Sequence, residues 1–96
     1  MRNLDKCYTY ELNTTLKETQ SFLRFYKMTP DGSKIDGTTN EEVIKVLIHR
    51  ITCLNSDKFK CRENSVAITK LEEALMWLEK RTANRILRNV EGTQNV

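Results

Sequence analysis

Residues 62–88 carry the strongest helical pattern in the sequence, and neither glycine nor proline interrupts them. Leu71, Leu75 and Leu78 follow the spacing of a coiled-coil seam. The apolar face that these leucines share also contains Ala67, Ile68 and Ala74. At 1.5 Å per residue, a helix over this stretch is about 40 Å long. The rest of the chain must therefore fold beside one long amphipathic helix.

A shorter helix is predicted to precede it, over residues 40–54. Thr39-Asn40-Glu41-Glu42 matches a capping box, in which a hydroxyl and a carboxylate satisfy free backbone amides. An apolar stripe follows, made of Val43, Val46, Leu47, Ile51 and Leu54. The short connection beginning at Asn55-Ser56-Asp57 predicts an antiparallel helical hairpin. Because the first helix is only about half as long, part of the long seam must meet the N-terminal segment or a second subunit.

The N-terminal segment, residues 1–39, is predicted to be a β-element. Cys7–Leu12 and Ser21–Met28 are rich in aromatic and apolar residues, which favour pleated surfaces. A helix remains an alternative here, because helical spacing also relates Leu12, Leu16, Leu23 and Tyr26. Thr29-Pro30-Asp31-Gly32 has the composition of a tight turn. The sequence thus favours a β-hairpin with its turn at Pro30–Gly32.

The predicted fold class is α+β within a single domain. An N-terminal β-hairpin or small antiparallel sheet (1–39) precedes an antiparallel two-helix hairpin with a long C-terminal helix (40–88), and 89–96 form a tail. A chain of 96 residues has a thin core. Small polar domains often complete such a core by forming oligomers.

The cysteines and the single histidine argue against a disulfide framework and against a metal site. Cys7, Cys53 and Cys61 are odd in number and form no C-x-x-C pair, and His49 has no partner for a zinc site. We expect reduced thiols, with Cys53 and Cys61 facing the core or without a role. We therefore expect no metal ligands and no cofactor.

Enzymatic and membrane functions are not expected either. The sequence shows no glycine-rich phosphate loop, and its spacing places no nucleophile beside a histidine, so we predict no catalytic residues. No apolar run approaches the roughly 18 residues of a membrane span. The first residues lack the apolar stretch of a signal peptide, which predicts a cytosolic protein without a membrane partner.

A cluster of basic residues lies near the end of the long helix. Trp77, Arg81 and Arg88 lie within about 40° of each other around the helix axis, and Arg85 lies beside them. Cations near a helix C-terminus are stabilised by the macrodipole, which is one explanation. The other is anion capture, because arginine pairs bidentately with phosphate and stacks on bases.

A second candidate site lies at the start of the same helix, in the segment 59–64 that contains Phe59, Arg62 and Asn64. Free backbone amides at a helix start attract anions, and the Asn64 amide can both donate and accept hydrogen bonds. The alternative is that Asn64 and Glu63 cap their own helix. The net charge of +3 permits an anionic ligand, whereas the 13 acidic residues argue against nucleic acid.

The run from Cys61 to Leu78, followed by Arg81-Thr82, Arg85 and Val90-Glu91-Gly92-Thr93, resembles the helical-hairpin family of phage anti-Thoeris and anti-CBASS proteins. Asn40-Glu41-Glu42 and Val46–Arg50 also fit, so that the resemblance covers about residues 36–94. It is closer to the anti-Thoeris branch, whose members carry an N-terminal β-element.

This resemblance implies a sponge, which binds cyclic nucleotide immune signals and releases them intact. The signals would be cyclic ADP-ribose isomers, with cyclic di- and trinucleotides as further ligands, in the cytoplasm of the infected bacterial host. Pockets would lie between subunits of homodimers that assemble into a hexamer. The ligand-binding positions implied are Phe59, Arg62, Asn64, Arg81, Arg85 and Arg88. Arg88-Asn89 replaces the Arg-Gly pair of many relatives, which makes Arg88 the weaker match.

Two other functions fit the same residues without the resemblance. One is a nucleic-acid-binding or protein-interaction module that uses the C-terminal arginine face, for which salt-dependent binding is expected. The other is a structural oligomerisation domain, which would have no ligand pocket.

Overall fold

The computed structural model describes residues 1–90, with side chains through Arg88. The chain order is β1 (Arg2–Asp5), β2 (Thr9–Leu12), β3 (Ser21–Arg24), β4 (Lys27–Met28), β5 (Lys34–Ile35), α1 (Asn40–Leu54), a 3₁₀ turn (Asp57–Phe59) and α2 (Arg62–Val90). The predicted α+β class is confirmed. The chain divides into two compact units, one ending at Asn40 and one beginning at Glu41.

The first unit contains a three-stranded antiparallel sheet in the order β1-β2-β3. Tyr10 pairs with Asn3 on one side and with Leu23 on the other. Its ring meets the Phe25 ring edge-to-face, with 6.0 Å between the centroids. From Ser21 to Met28 exposed and half-buried residues alternate, as in a strand with one covered face. This segment is therefore extended, and the helical alternative for it is wrong.

The turn predicted at Pro30–Gly32 is confirmed, because β4 and β5 pair antiparallel on either side of it. The Thr29 N–H donates to the Ser33 carbonyl over 2.8 Å, and Gly32 has a φ of +89°. The Asp31 carboxylate accepts hydrogen bonds from the Ser33 hydroxyl, the Thr29 hydroxyl and the Ser33 N–H. These bonds lower the pKa of Asp31 from 3.8 to about 2.

Gly37 allows the chain to pass directly against the end of β3. Thr38 forms a parallel bridge with Phe25, the Thr38 N–H donates to the Arg24 carbonyl over 2.8 Å, and the Tyr26 N–H donates to the Thr38 carbonyl over 3.1 Å. A Cβ at position 37 would collide with the backbone of Phe25 and Tyr26. Only glycine fits this close approach of two backbones.

The second unit is an antiparallel helical hairpin held at both ends by polar contacts. Near the start of α1, Glu41 accepts a hydrogen bond from the Thr82 hydroxyl over 3.2 Å. Just after α1, the Asn55 amide donates to the Ser65 hydroxyl over 3.1 Å and accepts from the Cys61 N–H over 2.9 Å. The start of α1 thus lies beside the later part of α2, and the end of α1 beside its beginning.

The seam predicted on α2 is confirmed for the three leucines at positions 71, 75 and 78, and for Ala67 and Ile68, all of which are half-buried. Ala74, predicted on the same face, is exposed. Helix α2 contains 29 residues and continues through Val90, two residues beyond the predicted end. The remaining tail, which contains Glu91-Gly92-Thr93, lies outside the described residues.

The stripe predicted on α1 is only partly right. Val43 and Ile51 are half-buried, but Val46, Leu47 and Leu54 are 59%, 43% and 47% exposed. The half-buried isoleucines at positions 44, 48 and 51 share a helical face with Glu41 and Asn55. Because the contacts of Glu41 and Asn55 fix the rotation of α1, that face turns toward α2. The predicted stripe is centred about 100° away around the helix, which leaves Val46, Leu47 and Leu54 exposed.

No side chain among residues 1–88 is fully buried, so the described part of the chain has no enclosed core. No helix within the described residues is long and apolar enough to cross a membrane.

Replacing Gly37 with alanine should destabilise the protein much more than the matched replacement at Gly32. Nothing lies within 4 Å of a Cβ at Gly32. Gly32→Ala should therefore lower the free energy of unfolding only through the unfavourable positive φ, by about 1–2 kcal/mol. Gly37→Ala must move the backbone of Phe25, and we expect a loss of more than about 2 kcal/mol in urea unfolding. Equal losses in both variants would contradict this account of Gly37.

The hydrogen bonds to Asp31 should make the β4–β5 turn sensitive to acid. Because the folded-state pKa is lowered from 3.8 to about 2, this contribution is complete above pH 4 and is lost as the pH falls through about 2. We expect the Ser33 amide resonance to titrate with a midpoint near 2, and to stay flat in Asp31→Asn. A midpoint near 3.8 would mean that the carboxylate does not hold the turn.

Candidate ligand-binding site

The arginine cluster lies on one side of α2, as the helical spacing predicts. Arg81 is exposed, whereas Arg85 and Arg88 are half-buried along the edge of the leucine seam. Trp77 precedes them and is 56% exposed, and the Lys80 ammonium lies 5.1 Å from the centre of its ring. The helix therefore presents a row of guanidinium groups next to an aromatic ring that already accepts a cation.

The helix macrodipole does not account for this cluster. Its stabilising effect is confined to the last turn of a helix, and α2 continues through Val90. Arg88 lies in that last turn, but Arg81 lies more than two turns before the end. Within residues 1–88, neither Arg81 nor Arg85 forms a salt bridge with a carboxylate. These two guanidinium groups are thus available to an anionic ligand, which they can bind bidentately.

The second group of candidate residues surrounds the start of α2. Phe59 ends the 3₁₀ turn and is 68% exposed, with the Lys58 ammonium 5.4 Å from the centre of its ring. Arg62 is exposed and Asn64 is half-buried. An exposed aromatic ring, a guanidinium and an amide are the groups that stack on a base and read its polar edge.

Cys61 caps α2, and Asn64 does not. The Asn64 N–H donates to the Cys61 sulfur over 3.4 Å, while the Cys61 carbonyl accepts from the Ser65 N–H over 3.2 Å. The alternative in which the Asn64 side chain caps its own helix is therefore wrong. Within the described part of the chain, the Asn64 side-chain amide has no hydrogen-bond partner and can turn to a ligand.

The two groups are not brought together within one chain. Asn64 and Arg81 are separated by about 26 Å along the helix axis, and Asn64 and Arg85 by about 32 Å. These separations far exceed the reach of the side chains. A single chain therefore carries two candidate half-sites, one at each end of α2.

Another surface, on α1, was not predicted. A concave region of about 520 Å³ is lined by Glu42, Lys45, Val46, His49, Arg50 and Cys53. The Cys53 sulfur lies 3.8 Å from each nitrogen of the His49 ring. The expectation that no nucleophile lies beside a histidine is therefore wrong. The four-residue spacing of His49 and Cys53 on a predicted helix was the signal that could have identified this pair.

Of the two alternatives for Cys53 and Cys61, the one in which they face the core is wrong, since both are exposed together with Cys7. Cys53 lies on the face of α1 opposite the isoleucines, and Cys61 caps a helix. Within the described residues, no group of three or more histidine, cysteine or acidic side chains could hold a metal ion.

Residues 23–83 match the protein family described as Acb2/Tad1, hairpin domain, and this match covers more than half of the chain. The chain belongs to this family. The family resemblance drawn from the sequence is confirmed, although the match begins before residue 36 and ends before Arg85. It includes the whole of α1 and the candidate residues from Phe59 to Arg81.

The chain is also similar to a protein named Thoeris anti-defense 1 from Bacillus phage SBSphiJ7. The two are 57% identical over 58 residues, which make up 60% of this chain and 41% of the relative. The matched region thus spans less than half of the relative's length.

The capping role of Cys61 can be tested with two substitutions at that position. Cys61→Ser keeps a side-chain acceptor for the Asn64 N–H and should be nearly neutral, whereas Cys61→Ala removes it. We expect Cys61→Ala to lose about 1 kcal/mol in urea unfolding. If serine and alanine destabilise the protein equally, the sulfur does not cap the helix.

Proposed function

We propose that this chain is a phage anti-defence protein that binds and sequesters cyclic nucleotide immune signals without degrading them. Its ligands would be cyclic ADP-ribose isomers, with cyclic di- and trinucleotides as further ligands, in the cytoplasm of the infected bacterial host. Membership of the Acb2/Tad1 hairpin family and the name of the phage relative support the anti-defence role. The observation that carries the ligand class is that Arg81 and Arg85, on one side of the later part of α2, form no salt bridge within residues 1–88.

The chemistry of these residues suits a cyclic nucleotide. The guanidinium groups of Arg81 and Arg85 would hold a phosphate or pyrophosphate, each with a planar fork of donors. Phe59 would stack on a base, and the amide of Asn64 would bind a base edge or a ribose hydroxyl. Arg62 and Arg88 would add positive charge around the anion. Such a set binds and orients a ligand, and none of these groups is a nucleophile paired with a base.

The pocket would be shared between subunits of a homodimer that assembles into a hexamer. The separation of Asn64 from Arg81 supports this, because only chains packed side by side can bring the two half-sites together. The exposed apolar residues of α1 and the absence of any fully buried side chain among residues 1–88 also favour association, which would remove that surface from water. Ligand binding and oligomerisation would then depend on each other.

Replacing Arg81 with alanine should abolish tight binding while leaving the fold intact. Removing one partner of an enclosed charge pair costs about 2–5 kcal/mol, so calorimetry with cyclic ADP-ribose isomers and cyclic di- and trinucleotides should show a loss of about 30-fold or more. Lys80→Ala is the matched control, since it removes the same charge from the adjacent position on another side of α2 and should bind normally.

Sequestration also predicts that the ligand leaves the protein unaltered. Heating the wild-type complex to denature the protein should release the original ligand, as identified by mass spectrometry, and Cys53→Ser should behave identically. A cleaved product that depends on Cys53 would instead indicate an enzyme built on the Cys53–His49 pair. Binding of DNA or RNA with a steep salt dependence, together with no binding of any cyclic nucleotide, would favour the nucleic-acid alternative.

A further inference from the structure

The exposed face of α1 carries two side chains with the separation of zinc ligands. His49 and Cys53 are one helical turn apart, both are exposed, and the sulfur lies 3.8 Å from each ring nitrogen. Tetrahedral zinc, with Zn–S of about 2.3 Å and Zn–N of about 2.0–2.1 Å, holds a sulfur and a nitrogen about 3.6 Å apart. Because the sulfur is equidistant from the two ring nitrogens, the His49 ring must rotate so that one nitrogen faces the ion, and the exposure of the ring leaves room for that rotation.

A single chain supplies only these two ligands. Among residues 1–88 no third histidine, cysteine or acidic side chain lies close enough to complete a metal site. Glu42 lines the same concave surface but lies about 10 Å from His49 along the helix axis. Structural zinc takes four ligands, and two cysteines with two histidines are a common set. The two missing ligands are those that a second copy of this surface would provide.

We propose that two copies of this chain bind one zinc ion between their α1 helices, through His49 and Cys53 of each copy. In a two-fold contact the same patch meets itself, so antiparallel α1 helices that cross between positions 49 and 53 would bring all four ligands to the axis. Val46 precedes His49 by one turn and is 59% exposed, and it would supply apolar contact beside the ion.

The charges around the pair are compatible with this site. Lys45 and Arg50 flank it and would repel an isolated divalent cation. On binding, both Cys53 thiols lose their protons to solvent, and the two thiolates offset the two charges of the ion. The resulting complex of one Zn²⁺, two thiolates and two neutral imidazoles carries no net charge, so the flanking cations do not repel the bound ion. The free energy of zinc binding must then exceed the repulsion between the four flanking cations of the two copies.

Cobalt titration of the full-length, reduced, metal-free protein tests this directly, because Co²⁺ reports tetrahedral thiolate coordination in its visible spectrum. We expect intense d–d bands and a near-ultraviolet thiolate charge-transfer band that saturate at one ion per two chains. Zn²⁺ should displace the cobalt, and sedimentation should show metal-dependent association. Cys53→Ser and His49→Asn should each weaken zinc binding by about 100-fold or more, since loss of a ligand exceeds the cost of an outer-shell change.

The matched control removes the other two thiols. The double variant Cys7→Ser/Cys61→Ser should keep the cobalt spectrum and the stoichiometry, and circular dichroism should show that all variants keep their helices. Saturation at one ion per chain, a spectrum without thiolate bands, or a spectrum that survives in Cys53→Ser would overturn the proposal. The site does not involve Arg81 or Asn64, so this experiment and the ligand-binding experiment can fail independently.

Discussion

The contacts at the two ends of the helical hairpin determine which surfaces the second unit presents. Glu41 meets Thr82 at one end, and Asn55 meets Ser65 and the backbone of Cys61 at the other. Neither contact contributes much energy by itself, because both lie at exposed positions. Together they fix the rotation of α1 about its own axis, which turns one apolar face toward α2 and leaves the other outside. The exposed apolar stripe and the His49–Cys53 surface both result from that rotation.

The length of α2 is the second constraint, and it shapes the candidate site. Helix α1 has 15 residues and α2 has 29, so α1 cannot cover the whole of α2. Arginines placed late in α2 and an asparagine placed at its start are held rigidly apart by the helix between them. In a shorter helix the same residues could have met around one ligand. Here the proposed pocket would require a neighbouring chain, which links the proposed binding function to oligomerisation.

Much of the fold could be predicted because it depends on local signals. Three local patterns each indicate a specific backbone conformation: the leucine seam at 71, 75 and 78, the capping box before α1, and the Pro30–Gly32 turn. The turn between β1 and β2 carries none, because Lys6 and Cys7 adopt positive φ without glycine or asparagine. The first strand was therefore not predicted. Which apolar stripe of α1 faces α2 was also beyond the sequence, since it depends on residues that are far apart in the chain and meet in the fold, such as Glu41 and Thr82.

Some features of the candidate site could likewise be predicted from the sequence, and others could not. Arg81 and Arg85 could be placed on one face from spacing alone, and the structure adds that the helix continues past them, which removes the macrodipole explanation. The role of Asn64 could not be settled from spacing, because the choice of Cys61 as the cap depends on where α2 begins. The contact between His49 and Cys53 could have been predicted from their spacing on a predicted helix, because residues four apart lie on one helical face.

Each proposed pocket combines Asn64 of one subunit with Arg81 of another. This arrangement is tested most directly by mixing Asn64→Ala chains with Arg81→Ala chains, unfolding and refolding them together, and measuring the number of binding sites by calorimetry. Neither variant alone should bind. Random pairing puts half of the chains in mixed dimers, and each such dimer has one intact pocket, so about one quarter of the wild-type sites should return. Mixed oligomers that recover no sites, or variants that bind on their own, would contradict a shared pocket.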